Sequence, residues 1–178
     1  MNISKAVLDL AREAIETYCR EGAVIEPPGE LPAGLKEERS GVFVTLKKAG
    51  RLRGCTGTFK PTRDCLAREI IYNAIGSAFR DPRFPPVGPE ELDSLVYTVS
   101  LLSVPEKIDS PDQLDPARYG VIVESAGRRG LLLPDLEGVD TVEEQLSITR
   151  QKAGIGPTEA VNLQRFEVEK YSEENSGA

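Results

Sequence analysis

Residues 41–59 have the sequence GVFVTLKKAGRLRGCTGTF, which predicts the first two strands of the fold. Apolar residues alternate with others from Val42 to Leu46, as in a strand with one buried face. The next four residues fit a hairpin turn in which Gly50 supplies the positive φ angle. The chain then returns as a second strand that begins at Arg51. The stretch therefore predicts an antiparallel hairpin.

Two glycines, Gly54 and Gly57, interrupt the second strand. Glycine inside a strand loses packing and conformational entropy, so it often marks a bulge or a close approach by another group. We therefore expect an irregularity here. If the strand were regular, its positions would alternate between two faces. One face would carry Arg51, Arg53, Cys55 and Gly57, and the other would carry Leu52, Gly54 and Thr56.

Three segments outside the hairpin have apolar residues at helical spacing. They cover about Ser4–Arg20, Asp64–Phe79 and Val142–Ala153. Ser4 is the candidate N-cap of the first helix, and Thr62 or Asp64 that of the second. Residues 25–40 are rich in proline and glycine and predict a loop with local rigidity.

Four further strands are predicted, at about Leu95–Val104, Gly120–Glu124, Gly130–Leu133 and Leu163–Val168. Since strands and helices do not alternate regularly, the pattern favours an α+β fold over a doubly wound parallel sheet. We predict a mostly antiparallel mixed sheet with flanking helices. The length of 178 residues fits a single domain over residues 1–178, either with or without two lobes.

The composition limits the location and the classes of partner. No apolar run approaches the roughly 18 residues of a membrane span, and the N-terminus does not resemble a signal peptide. We therefore expect a cytoplasmic protein that does not bind membranes. The net charge of −7 argues against nucleic-acid binding, which needs a cationic face. Part of the acidic excess, including Glu173 and Glu174, indicates a solvated, frayed C-terminus.

The chain has no histidine and three cysteines, at positions 19, 55 and 65. The absence of histidine excludes Ser-His-Asp and Cys-His catalysis and histidine-ligated zinc. Three cysteines without a C-x-x-C pair are too few for a four-cysteine zinc or iron–sulfur site. No cofactor and no metal are therefore expected. Asp135, Glu137 and Asp140 could ligate a hard cation, although a solvated acidic loop is the simpler interpretation.

The segment Arg53–Gly57 combines an arginine, a cysteine and two glycines. Glycines let backbone amides turn toward a bound anion, and an arginine two residues from a cysteine can stabilise a thiolate. The segment is therefore a candidate anion pocket, a reactive cysteine site, or both. A structural role stays open, because buried inert cysteines are common.

Three prolines stiffen the loop Asp81–Pro86. Such a loop can present Asp81 and Arg83 to a ligand with fixed geometry. The alternative is an internal ion pair between these two residues, with Phe84 anchoring the loop to the core. Glu69, on the second predicted helix, could face an arginine of either segment as an ion-pair partner or a proton acceptor.

Five sequence blocks resemble the AMMECR domain family. Residues 51–59 (RLRGCTGTF) look like the hallmark segment of that family. The other blocks are residues 77–86 (SAFRDPRFPP), 99–103 (VSLLS), 128–134 (RRGLLLP), and 143–146 with 152–154 (EEQL and KAG). All keep the family's order. Thr56 departs from the pattern, since isoleucine usually stands there, and a buried hydroxyl must be hydrogen-bonded.

The resemblance implies an α+β fold with two unequal lobes and a cleft between them. It places the functional site at Arg53–Gly57. It also implies association with a Memo-like protein and a radical SAM protein, this chain being system protein A of the AmmeMemoRadiSam trio. The family brings no assigned reaction with it.

Two kinds of function fit these residues. In the first, the chain is an enzyme or enzyme component acting on a small anionic metabolite, with Cys55 as nucleophile or acid and Glu69 or Asp81 moving protons. In the alternative, it is a non-catalytic protein-binding module or adaptor using the same cleft. Both assign binding to the same residues, Arg53, Gly54, Thr56, Gly57, Asp81 and Arg83.

Overall fold

The computed structural model describes residues 2–175, which divide into two compact units. The first unit comprises residues up to 101 and from 169 onward, and the second comprises residues 102–168. The strands form two four-stranded sheets. The predicted α+β class, with antiparallel strand pairs and flanking helices, is confirmed. No helix within the described range is long and apolar enough to cross a membrane.

Four α-helices and eight strands are present among the described residues. In chain order they are α1 (Ile3–Glu21), α2 (Ala33–Glu37), β1 (Gly41–Lys48), β2 (Arg51–Thr58), α3 (Leu66–Phe79), β3 (Leu95–Leu102), β4 (Glu106–Ile108), β5 (Gly120–Ser125), β6 (Arg128–Leu132), α4 (Val142–Ala153), β7 (Asn162–Phe166) and β8 (Val168–Ser172). The sheet orders are β2-β1-β3-β8 and β4-β7-β5-β6.

Three predictions for the helices of the first unit are corrected by the structure. Asn2, not Ser4, caps α1, because its side chain accepts the Ser4 N–H at 2.9 Å. No side chain caps α3, so neither Thr62 nor Asp64 has that role. Thr62 instead donates hydrogen bonds to a carboxylate on α3. The segment predicted as a loop contains the short helix α2.

The hairpin turn and its irregularity follow the sequence prediction. Ala49 and Gly50 both have positive φ, 50° and 73°, which suits a tight turn between antiparallel strands. Leu46 lies opposite Gly54, whereas the next residue along β1 lies opposite Leu52. Arg53 is therefore the extra residue of a β-bulge, directly beside the first of the two glycines.

A glycine allows β2 to approach α3 closely. A β-carbon built on Gly54 would lie 2.0 Å from the carbonyl oxygen of Ser77 on α3. Any larger residue therefore requires the helix to move. This contact is the close approach that the glycine spacing predicts, and it brings β2 against α3, the most buried helix of the first unit.

We expect Gly54→Ala to lower the free energy of unfolding by roughly 1–3 kcal/mol, because overpacking displaces α3. Urea denaturation measures this change. Gly29→Ala is the matched control, since nothing lies within 4 Å of the added methyl group there. Equal stability of the two variants would contradict the close contact.

The core of the first unit lies between α1, α3 and one face of its sheet. The inward side chains of β1 and β3 are fully buried there. The residues without exposed surface are Val7, Ala11, Ala14, Ile15, Leu35, Val42, Val44, Leu46, Ala67, Ile70, Ile71, Ala74, Tyr97 and Val99. These side chains hold α3, and the residues it presents to β2, in a fixed position.

The C-terminal segment differs from the prediction in two respects. The strand predicted at residues 163–168 is present as β7, which ends at Phe166, and a further strand that was not predicted, β8, follows it in the other sheet. The acidic residues that follow are not simply solvated. Glu173 accepts hydrogen bonds from Arg12 at 2.7 Å and from the Tyr97 N–H at 3.0 Å, and Glu174 pairs with Lys47. Ion pairs to α1 and β1 therefore fasten this end of the described chain.

The second unit packs α4 against its sheet. Thr141 and Glu144 form a capping box at the start of α4, and Gly154 ends the helix with a φ of 65°. A β-carbon on Gly130 of β6 would lie 2.3 Å from the carbonyl oxygen of Thr149 on α4. This unit therefore repeats the strand–helix contact through glycine that is seen in the first.

Candidate functional site

The main chain of Cys55 is held by the side chains of the proline-rich loop. Its N–H donates to Asp81 Oδ2 at 2.9 Å, and its carbonyl accepts from Arg83 Nη2 at 3.2 Å. Arg83 also donates two side-chain hydrogen bonds to Asp81, at 3.0 and 2.7 Å. The loop therefore forms the predicted internal ion pair and at the same time holds the main chain of β2 at Cys55.

The carboxylate of Asp81 is buried and strongly held in its charged form. The hydrogen bond from Arg83, opposed by burial and aided by the Cys55 and Arg83 N–H groups, lowers the pKa of Asp81 well below its usual range. The same pair raises the pKa of Arg83. A carboxylate with this many donors is a poor proton acceptor at neutral pH.

We expect Asp81→Asn to be less stable than the wild type by roughly 1.5–3 kcal/mol at pH 7. Because the folded state lowers this pKa, its stabilisation is complete above the ordinary value of 3.8 and is lost as the pH falls below it. The difference should therefore shrink toward pH 2. Urea denaturation across pH measures it, with the exposed Asp93→Asn as control. A difference independent of pH would contradict the assignment.

Arg53 points to a carboxylate that the sequence did not indicate. Its Nε and Nη2 donate to the two oxygens of Glu91 at 3.0 and 2.9 Å, in a bidentate ion pair. Lys48 and the Gly88 N–H also donate to Glu91, at 2.9 and 3.1 Å. These bonds, against the effect of burial, lower the pKa of Glu91 to about 2.

Arg53 and Arg83 approach the same aromatic ring. The guanidinium carbons lie 6.0 and 5.6 Å from the centre of the Phe84 ring. The Arg53 side chain is 11% exposed and its Nη1 has no hydrogen-bond partner, whereas the Arg83 side chain is 55% exposed. Arg83 is thus the more accessible cation of the two.

The Cys55 thiol is partly exposed and has a hydroxyl beside it. Its Sγ lies 3.3 Å from Thr45 Oγ1 on β1. Cys19 and Cys65 are also partly exposed, and Cys19 Sγ contacts the Val87 carbonyl at 3.6 Å. No carboxylate is recorded in hydrogen-bond contact with Cys55 Sγ among residues 2–175. Thr45 Oγ1 is thus the hydrogen-bonding neighbour of this thiol within the described chain.

Thr56, where the resemblance implies isoleucine, hydrogen-bonds its hydroxyl to α3. Its N–H donates to Ser77 Oγ at 2.9 Å, and its hydroxyl donates to the Asn73 carbonyl at 3.3 Å. The Ser77 hydroxyl also donates to the Val44 carbonyl of β1 at 2.7 Å. A serine on α3 thus bridges the two strands of the hairpin.

Glu69 lies on α3, on the face that packs against β2, and it is 1% exposed. It accepts hydrogen bonds from Thr58 Oγ1 at 2.6 Å, from the N–H and hydroxyl of Thr62 at 2.7 and 2.9 Å, and from the Arg63 N–H at 2.8 Å. Burial raises its pKa, but these four bonds outweigh that effect and lower it. Glu69 contacts neither Arg53 nor Arg83 through these bonds.

The profile of the AMMECR1 domain matches residues 8–175. The chain belongs to the AMMECR1 family. A protein from Thermotoga maritima is 55% identical over 163 residues, covering 90% of this chain and 94% of the relative. A protein from Clostridium acetobutylicum is 46% identical and longer, so the match covers 92% of this chain but 35% of that protein.

A solved structure resembles this AMMECR1 domain closely. The crystal structure of an uncharacterized protein, PH0010 from Pyrococcus horikoshii, has a TM-score of 0.87 and 40% sequence identity. The match covers 94% of this chain and 90% of that chain. The resemblance stated from the motif blocks is therefore confirmed over nearly the whole domain.

The structure of the AMMECR1 domain joins some predicted site residues and separates others. Cys55, Asp81 and Arg83 are in direct contact, and Arg53 reaches them through Phe84. Glu69 belongs to a different network. Among the described residues no three histidine, cysteine, aspartate or glutamate side chains group as metal ligands, and this includes Asp135, Glu137 and Asp140.

Sequence reasoning missed Glu91, Asn73 and Ser77 as residues that order the motif. The last two could have been found, since small polar residues at i and i+4 on an otherwise apolar helix stripe indicate a buried polar contact. No comparable signal marks Glu91, because an acidic residue following a proline is typical of any helix start.

Proposed function

We propose that this AMMECR1-family chain is a non-catalytic protein-binding module whose working surface is Arg53–Gly57 with Asp81 and Arg83. One observation carries the proposal: the acidic residues suited to proton transfer are already engaged. Asp81 holds the Cys55 main chain, and Glu69 is buried among four donors. The hydroxyl of Thr45 is the neighbour of the Cys55 thiol, and it is a weak base.

The same contacts make the surface rigid, which favours recognition. The bulge, the ion pair of the loop and the hydroxyl network on α3 all fix the backbone of β2. A surface ordered before binding loses little entropy when a partner docks. The Memo-like and radical SAM proteins implied by the resemblance are the partners proposed.

Capture of purified Memo-like and radical SAM proteins from the same genome on the immobilised chain tests the proposal. We expect the wild type to retain one of them, and Arg83→Ala to weaken the affinity by at least about tenfold. Arg118→Ala is the control, since Arg118 is also an exposed arginine paired with a glutamate. Thermal denaturation verifies folding. Capture that is unaffected by Arg83→Ala would refute this working surface.

A second candidate is an enzyme component that binds a small anionic metabolite. The exposure of Arg83 favours it, because no hydrogen bond of Arg83 Nη1 is recorded within the described chain and Cys55 is partly exposed beside it. Alkylation of the native protein, followed by peptide mass spectrometry, decides between the two. Cys19 and Cys65 are internal controls. Faster labelling of Cys55, slowed by anionic metabolites, would favour the enzyme.

A further inference from the structure

The motif region is basic within an acidic chain. Residues 47–83 contain nine lysines and arginines but only three acidic residues, whereas the whole chain has a net charge of −7. The basic residues are Lys47, Lys48, Arg51, Arg53, Lys60, Arg63, Arg68, Arg80 and Arg83. An excess of this kind attracts an acidic partner even though the molecule as a whole repels one.

Several of these cations are exposed and have no ion pair among the described residues. Arg51 and Lys60 are exposed just at and beyond the two ends of β2, and no ion pair of either is recorded within the described chain. The same holds for Arg80, which precedes the loop that reaches Cys55. Arg83 is exposed on that loop. Exposed cations thus stand at the two ends of β2 and on the loop that contacts Cys55.

The main chain of β2 is open on the side of this loop. β2 is an edge strand, and the N–H and carbonyl of Cys55 point away from β1 toward Asp81 and Arg83. The N–H of Thr56 points inward, to Ser77. Because the two directions alternate, Gly57 faces outward like Cys55. Within residues 2–175 no loop or side-chain hydrogen bond to the Gly57 main chain is recorded.

We infer that an extended acidic segment of a partner protein adds to the edge of β2 at Gly57. This inference rests on the proposed binding module and specifies how that module recognises its partner. Asp81 and Arg83 already act as a neighbouring strand would at Cys55, with one acceptor and one donor. The segment continues that pairing at Gly57, and its carboxylates meet Lys60, Arg80 and Arg83.

Two other occupants fit this edge less well. A second copy would bring the same cations face to face, which opposes pairing of β2 with itself. A nucleic acid has no main-chain N–H and C=O groups to pair with Gly57, whereas an extended peptide has both. An acidic polypeptide satisfies both the cations and the main-chain groups.

The probe is a fluorescein-labelled ten-residue peptide of alternating glutamate and threonine, titrated against the full chain by fluorescence anisotropy. We expect binding that weakens with salt, and that weakens at least about fivefold in the double variant K60E/R80E. Lys107→Glu is the control, since Lys107 is exposed in the second unit with no recorded partner. A lysine–threonine peptide should not bind.

Two measurements test strand addition itself. N-methylation of either the glutamate or the threonine amides should abolish binding for one of the two peptides, because alternate amides face β2. Hydrogen exchange of the Gly57 amide should slow at least about tenfold in the complex. Equal binding of both methylated peptides, or unchanged exchange at Gly57, would show that acidic groups are bound without strand addition.

The remaining outcomes overturn the inference in distinct ways. If the peptide does not bind, the edge is not an acidic-peptide site. Tighter binding of a single-stranded oligonucleotide would assign the edge to a nucleic acid. A dimer in sedimentation that is lost in K60E/R80E would assign it to a second copy of the chain. Partner capture separates the two proposals. Capture that is lost in Arg83→Ala but retained in K60E/R80E leaves the binding module intact and refutes the acidic strand. Capture indifferent to Arg83→Ala refutes the module itself.

Discussion

Glu69→Ala is expected to lower the free energy of unfolding by roughly 3–5 kcal/mol. The carboxylate is 1% exposed and receives four hydrogen bonds, two from main-chain N–H groups of the segment before α3. Its removal takes the acceptor from those donors and from the hydroxyl of Thr58 on β2, and it leaves a cavity at a buried position. Thermal and urea denaturation measure the loss.

The control for Glu69→Ala is Glu13→Ala, an exposed residue on α1 that changes helix charge by the same amount. The free energy of unfolding of Glu69→Gln should lie between those of Glu69→Ala and Glu13→Ala, since the amide keeps one acceptor but turns its NH₂ group toward a donor. If Glu69→Ala were as stable as the control but no longer captured partners, the residue would be functional and the structural role assigned to it would be wrong.

Glu91→Ala is expected to destabilise the chain by roughly 3–5 kcal/mol, because it leaves the charge of Arg53 in a largely buried position without its partner. Lys48 is 42% exposed and returns to water at little cost. The Nη1 group of Arg53 already has no hydrogen-bond partner, so no second acceptor compensates for the loss of the Glu91 carboxylate. The free energy of unfolding in urea is the measurement.

A double-mutant cycle isolates the ion pair. The variant with both Arg53→Met and Glu91→Ala should be more stable than Glu91→Ala alone, because it buries no unpaired charge. Glu90→Ala, an exposed neighbour, should change the stability by less than about 0.5 kcal/mol. A double variant no more stable than the single variant would show that Arg53 and Glu91 do not depend on each other.

The network around Arg53 explains why a motif arginine need not bind a ligand. The arginine is matched by a bidentate carboxylate and a nearby ring, as in a structural site, while Arg83 keeps half of its side chain exposed. Binding by Arg53 stays a prediction, and Arg83 is the residue that we expect a partner to contact first.

Local sequence patterns determined the elements. Alternation predicted β1 and β2, a glycine with positive φ predicted the turn, and helical spacing predicted α1, α3 and α4 to within a few residues. Gly54 also predicted the irregularity that the bulge at Arg53 confirms. These features depend on residues close in the chain, so the sequence is sufficient to specify them.

Only the tertiary structure decided which side chains meet. Arg53 pairs with Glu91, 38 residues away, and Cys55 with Asp81, 26 residues away. The same structure assigned Glu69 to a buried network and placed β7 and β8, which follow each other in the chain, in different sheets. Each outcome depends on which buried polar groups and strand edges find partners once the core has packed. That is a property of distant segments brought together, and no local pattern in the sequence specifies it.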